Sequence, residues 1–190
     1  MQKERGFTLI ELLVVLAIAA ILVTLAAPSF SRLIQSNSMS SGVNTFLSDL
    51  RFARSESIRL GGGVVMCRSD APEAASPACD TNTGPGGKGW ISGWIVFQDM
   101  SSNGAIDANE PILRVQAPIK SIDSVLESGG ASTKFRFTAT GRLSDAASAS
   151  EVKFGGSQFS SDLQRVLCVS LGGRARIAGN GSTSCGTGNE

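Results

Sequence analysis

Residues Phe7 to Ala27 read FTLIELLVVLAIAAILVTLAA, an apolar run of twenty-one residues broken by one charge, Glu11. At about 1.5 Å per residue, a helix of that length covers roughly the 30 Å hydrocarbon core of a bilayer. Before the run stands MQKERG, which carries Lys3 and Arg5. Positive charge marks the cytoplasmic side, so the bulk of the chain is expected to be exported. A secretory signal peptide has a shorter apolar region followed by a small-residue cleavage site. This run instead continues into more helix. Glu11 asks for a function, because a carboxylate in hydrocarbon is costly unless it finds a partner.

Past the run, Pro28 is expected to end or kink the helix, since it lacks an amide donor and crowds the preceding turn. Phe30, Leu33 and Ile34, then Val43, Phe46, Leu47 and Leu50, recur at spacings of three and four. Those positions make one apolar stripe expected to dock on a globular head, with Ser31, Gln35, Asp49 and Arg51 on the polar side. Gly61-Gly62-Gly63 stops the helix. From Val64 onward, short β-branched and aromatic runs alternate with Gly, Ser, Asn and Asp. The expected strands are 64–68, 93–99, 112–116, 134–138, 151–154, 165–170 and 174–178. Residues 71–89 and 144–150 have loop composition.

The chain has 190 residues, which suit one domain plus an extra helical element. Seventeen Lys and Arg against sixteen Asp and Glu leave a net charge of +1, so any anion site must be a local patch. There is no His, which removes Ser-His-Asp triads, Cys-His dyads and His-ligated zinc. Nothing assembles paired acids or an activated nucleophile, so no catalytic residue, metal site or cofactor is assigned and an enzyme is not expected. The cysteines are Cys67, Cys79, Cys168 and Cys185, with no C-x-x-C pair. Four cysteines permit three pairings; the local pairs Cys67 with Cys79 and Cys168 with Cys185 close short loops and are the expected ones. Disulfides call for an oxidising compartment, in agreement with an exported head.

Gly6-Phe7-Thr8-Leu9-Ile10-Glu11 resembles the prepilin signature of type IV pilins and type II secretion pseudopilins. The resemblance implies that a prepilin peptidase cuts between Gly6 and Phe7 and methylates the new amino terminus on Phe7. It also implies that Glu11 pairs with the terminal amine of a neighbouring subunit during assembly, each charge supplying the other's missing partner. The stretches Gly93-Trp94-Ile95-Val96-Phe97 with Asp99, Asn103-Gly104, Glu110, Ile112-Leu113-Arg114-Val115, Phe135 to Phe137 and Gly141-Arg142 resemble the FimT/GspH group of minor pilins and pseudopilins. The expected fold class is α+β, a long N-terminal helix packed on a strand-rich antiparallel head. Its expected parts are a leader (1–6), a transmembrane assembly helix (7–28), an amphipathic helix (29–60) and a β-rich head (61–190).

Cys168-Val169-Ser170-Leu171-Gly172-Gly173-Arg174-Ala175-Arg176-Ile177 places a Gly-Gly pair between two strand-like runs, which favours a tight hairpin. Residues two apart on a strand face the same way, so Arg174 and Arg176 project together while Ala175 and Ile177 face the core. Their origins lie roughly 6.5 to 7 Å apart, a span over which two guanidinium groups engage neighbouring phosphates. Gly173-Arg174-Ala175-Arg176 also resembles the G-R-x-R motif of FimT-type pilins, which bind DNA during natural transformation. That resemblance implies DNA contact by Arg174 and Arg176, with Gly173 turning the backbone. No Tyr or Trp interleaves with the pair, which argues against a single-strand stacking platform.

Asp99, Ser101, Asn103, Gly104, Asp107 and Glu110 fall at the spacing of a calcium loop, though strands rather than helices flank them. Gly84 to Gly89 is no P-loop, because Gly89 rather than Ser or Thr follows Lys88. Trp90 and Trp94 read as core residues. The expected partners are DNA, other pilin subunits, a prepilin peptidase and the inner membrane before assembly. The expected location is the inner membrane with the head in the periplasm, then the surface filament. A priming or tip subunit without DNA contact and a type II secretion pseudopilin are the alternatives.

Overall fold

The computed structural model describes residues 8–128, 133–144 and 149–186. The elements run α1 (Leu9–Leu60), β1 (Val64–Arg68), β2 (Trp94–Gln98), β3 (Ile112–Gln116), β4 (Ser124–Ser128), β5 (Lys134–Phe137), β6 (Ser150–Gly155), β7 (Arg165–Val169) and β8 (Ala175–Gly179). The chain forms two compact units, Met1–Asn37 and Ser38–Glu190.

In the first unit, the start of α1 is apolar on every side, and Leu9, Ile10, Leu16, Leu25 and their neighbours are exposed. It is the one helix among the described residues long and apolar enough to cross a membrane. Of the two outcomes expected at Pro28, an end is ruled out, because the helix runs through it. An internal proline costs about 3 kcal/mol, a local loss within a helix of 52 residues. Phe30, Leu33 and Ile34 do not join the docked stripe; they are 64%, 56% and 51% exposed. Contiguous exposed apolar surface of this kind marks contact with lipid or another protein chain.

In the second unit, the buried stripe of α1 begins at Met39 and continues through Val43, Phe46, Leu47, Leu50 and Ala53. The helix stops at Leu60, and Gly61, Gly62 and Gly63 follow with φ of +79°, +114° and +71°. A side chain would strain all three positions. Two four-stranded antiparallel sheets follow, in the orders β3-β2-β1-β5 and β4-β6-β7-β8. One core joins the helix stripe to Val64, Met66, Trp94, Val96, Phe135 and Phe137 of the first sheet and to Val125, Val152, Phe154, Leu167 and Val169 of the second. Phe46 sits at its centre, edge-on to Trp90 at 5.2 Å, Trp94 at 5.0 Å and Phe154 at 5.5 Å. Offset and edge-on aromatic contacts of this kind add to the burial energy.

The first sheet is buried on both faces around β1 and β2. Val65, Cys67, Ile95 and Phe97 form a second cluster behind it, against Cys79 and Ile106. Cys67 is bonded to Cys79 and Cys168 to Cys185, with Cα separations of 5.5 Å and 5.7 Å. Asp49, expected on the polar side of α1, is instead buried. One of its oxygens accepts the Trp94 Nε1–H at 2.8 Å and the other takes the Arg114 guanidinium. A buried carboxylate needs such partners, and here they fix α1 to β2 and β3.

Candidate nucleic-acid interface

β7 and β8 form a hairpin whose register pairs Val169 with Ala175 and Cys168 with Arg176. At its tip the Gly173 N–H donates to the Ser170 carbonyl at 2.8 Å, and the Ser170 N–H donates to the Arg174 carbonyl at 2.9 Å. The Arg174 N–H reaches the Ser170 hydroxyl at 3.3 Å. Gly173 has φ of +73°, and a Cβ there would lie 1.9 Å from the Gly141 carbonyl oxygen. The glycine therefore serves two needs, a left-handed turn and close approach to the 138–143 segment. That approach is reinforced where the Leu143 N–H donates to the Leu171 carbonyl at 3.1 Å.

Arg174 is the last residue of the turn rather than the first of the strand, and both Arg174 and Arg176 are exposed. Ala175 packs against the core. Ile177 departs from the expected alternation and is 42% exposed. The reason is local: the β7–β8 register shifts between Val166 and Leu167, and β8 is an edge strand. An irregularity of this kind re-aims the side chains beside it.

Arg174 and Arg176 line a groove of about 620 Å³ together with Arg51 and Arg54 of α1, Ser170 and the Cys168–Cys185 disulfide. Arg51 and Arg54 escaped the sequence reading as part of a site. Their spacing of three puts them on one helix face, but only the tertiary fold brings that face to the hairpin. The Arg54 Nε–H donates to the Gly141 carbonyl at 3.0 Å, the same oxygen that Gly173 abuts. Among the described residues, no Asp or Glu lines the groove and none of the four arginines has an ion pair. The nearby Glu151 carboxylate accepts the Cys185 backbone N–H at 3.0 Å. A chain of net charge +1 thus concentrates four guanidinium groups in one concave surface.

The loop from Asp99 to Glu110 is closed by its own hydrogen bonds. Asp99 accepts the Asn103 N–H at 3.1 Å, the Gly104 N–H at 2.9 Å and the Arg136 guanidinium at 3.2 Å. Glu110 accepts the N–H groups of Ser101 at 3.0 Å and Asp107 at 3.1 Å. Burial pushes the Glu110 carboxyl up, but these amide bonds outweigh it and hold the group below its usual range. Two carboxylates directed at amides and a guanidinium are poor calcium ligands. Among the described residues, no group of three or more acidic, Cys or His side chains has metal-binding geometry.

At the other end of the chain, Gly6 and Phe7 lie outside the described residues. Glu11 sits in the first turn of α1. Its N–H donates to the Thr8 hydroxyl at 3.3 Å, and its carboxylate accepts the Thr8 N–H at 3.4 Å. The pair has the reciprocal pattern of a capping box, with long bonds.

A family model described as "Type II transport protein GspH" matches residues 42–173, and one described as "Prokaryotic N-terminal methylation motif" matches residues 1–27. The chain belongs to the GspH family. It is a minor pilin or pseudopilin, a family of structural, non-enzymatic subunits that contact other pilins and are processed by a prepilin peptidase. With its methylation motif and apolar helix it is a membrane-anchored filament subunit. The type IV minor pilin FimU of Pseudomonas aeruginosa has a similar structure, at a TM-score of 0.54 and 20% identity, covering 74% of this chain and 88% of that one. That likeness shows the shared fold, one long helix with eight antiparallel strands. No curated protein matches the sequence. The GspH match ends at Gly173, one residue before the arginine pair.

Proposed function

We propose that this GspH-family subunit is a minor pilin of the FimT type, whose head binds extracellular DNA for uptake during natural transformation. The observation that carries the reading is the exposed pair Arg174 and Arg176 at the hairpin tip, lining a groove in which, among the described residues, they have no ion pair and no acid beside them. Phosphate contact by such a pair is weakly sequence-specific and fades with salt. In this reading the peptidase cuts between Gly6 and Phe7, Phe7 is N-methylated, and Glu11 pairs with a neighbour's terminal amine. The head lies in the periplasm until assembly and then at the cell surface.

A second reading, a pseudopilin whose head contacts exported protein, is favoured by the family's description as a type II transport protein. DNA binding separates the two. The full chain in detergent micelles is titrated with labelled duplex DNA, beside Arg174→Ala/Arg176→Ala, at two salt concentrations. The uptake reading expects salt-sensitive binding that the double variant loses while its melting curve is unchanged. Absence of binding by the parent at low salt gives the pseudopilin reading precedence.

A further inference from the structure

We infer that the DNA site has a second wall: Arg51 of α1 takes a further backbone phosphate across the groove from Arg174 and Arg176, with Arg54 positioning the hairpin between them. The inference rests on the DNA-binding reading and adds residues that the hairpin motif does not contain. Its observation is the juxtaposition itself. A groove of about 620 Å³ has two arginines on its helix wall and two on its hairpin wall, and among the described residues no acid lines it. Four like charges kept side by side repel one another, so the arrangement is favoured when a polyanion occupies the groove. Arg51 is exposed and has no hydrogen bond or ion pair of its own among the described residues. Its guanidinium is thus available to a ligand.

Arg54 has a different role. Its Nε–H is committed to the Gly141 carbonyl at 3.0 Å. A Cβ on Gly173 would stand 3.3 Å from that same Nε. Helix, 138–143 turn and hairpin tip therefore meet at one guanidinium. The bond fixes where Arg174 emerges relative to Arg51, so the charges of the two walls are held at set positions. Nucleic acid is the polyanion that suits such a groove, because it presents phosphates at regular spacing along a continuous strand. A single phosphate would engage one wall.

The experiment uses the full chain in neutral detergent micelles and a labelled 12-base-pair duplex, with binding followed by fluorescence anisotropy over a salt series. The variants are Arg51→Ala, Arg51→Lys and Arg174→Ala/Arg176→Ala, each checked for an unchanged melting curve. Each lost phosphate contact lowers the slope of log K against log salt by about 0.9. Arg51→Ala is expected to lower the slope by about that amount, Arg51→Lys to restore it, and the double variant to lose binding. If the parent binds and the double variant loses binding while Arg51→Ala keeps both slope and affinity, the second wall is overturned and the hairpin site stands. A weaker Arg51→Ala with an unchanged slope also overturns it, since the loss then does not come from a phosphate contact. No binding by the parent at the lowest salt removes the DNA reading and this inference together. Anionic-lipid vesicles, added as competitor, test the other source of phosphate. Displacement of the duplex from the parent but not from Arg51→Ala would reassign the helix wall to membrane headgroups and overturn the nucleic-acid assignment.

Discussion

Asp49 of α1 and Trp94 of β2 are joined by a buried hydrogen bond of 2.8 Å, although 45 residues separate them in sequence. The same carboxylate holds Arg114 of β3, whose guanidinium also stacks 4.1 Å from the centre of the Phe52 ring on α1. Helix and first sheet are thereby tied by one charge, one indole and one cation–π contact. Asp49→Ala leaves the indole N–H and the guanidinium without their acceptor, and is expected to cost about 3 to 5 kcal/mol. Asp49→Asn keeps an acceptor for Trp94 while losing the charge on Arg114, and is expected to cost about 1 to 3 kcal/mol. Urea denaturation followed by tryptophan fluorescence measures both. Equal stability of the parent and Asp49→Ala would show that the tie contributes nothing.

The two glycines of the hairpin are expected to behave differently. Gly173→Ala puts a Cβ in a left-handed conformation 1.9 Å from a backbone oxygen, and backbone cannot move aside as a flexible side chain can. Its expected cost is about 2 kcal/mol or more. Gly172 has no positive φ, and its Cβ would meet only the Ser170 hydroxyl at 3.7 Å. Gly172→Ala is therefore expected to stay within about 1 kcal/mol of the parent. Thermal melting of both variants checks the contrast, and a Gly173→Ala protein as stable as Gly172→Ala would remove the close-approach argument.

The strands were legible where apolar residues alternate or run together, as in VVMCR at 64–68 and ILRVQ at 112–116. β4, Ser124–Ser128, was missed because SVLES has one buried apolar residue, Val125, and reads as a loop until it pairs with β6. The arginine pair was visible because strand periodicity is local. Arg51 and Arg54 carry no such signal, since a basic pair on a helix ordinarily reads as a solvated face. Asp49 misled for the same reason: periodicity places a residue on a side of the helix, but not against Trp94 and Arg114.

The Cys168–Cys185 bond ties the C-terminal tail to β7 across a separation of 17 residues, and both cysteines line the arginine groove. Cys168→Ser/Cys185→Ser is expected to lose about 2 to 4 kcal/mol, the value for freeing a loop of that length. Cys67→Ser/Cys79→Ser is expected to cost more. Cys67 is fully buried beside Val65, Ile95 and Phe97, so the change also puts a hydroxyl among apolar side chains. Denaturation of the two double variants under one set of conditions ranks them. A larger loss at the 168–185 pair would contradict the burial argument.

Glu110 gives the head an acid-sensitive element. Burial raises its pKa, and the amides of Ser101 and Asp107 more than offset that, leaving the folded value below the ordinary 4.5. A depressed folded pKa means that the unfolded chain takes up the proton first as pH falls. The contribution to stability is therefore complete above about 4.5 and is lost as pH drops through the folded value. Glu110→Gln removes the charge that draws these amides in, so the variant is expected to be less stable at neutral pH. Its stability is also expected to fall less steeply than the parent's from about pH 5 downward, the range over which a paired carboxylate is titrated. Melting temperatures measured at half-unit steps across that range decide the point. Parallel curves for parent and variant would show that Glu110 titrates alike in the folded and unfolded chain, and that the amide bonds of the 99–110 loop do not favour its charged form.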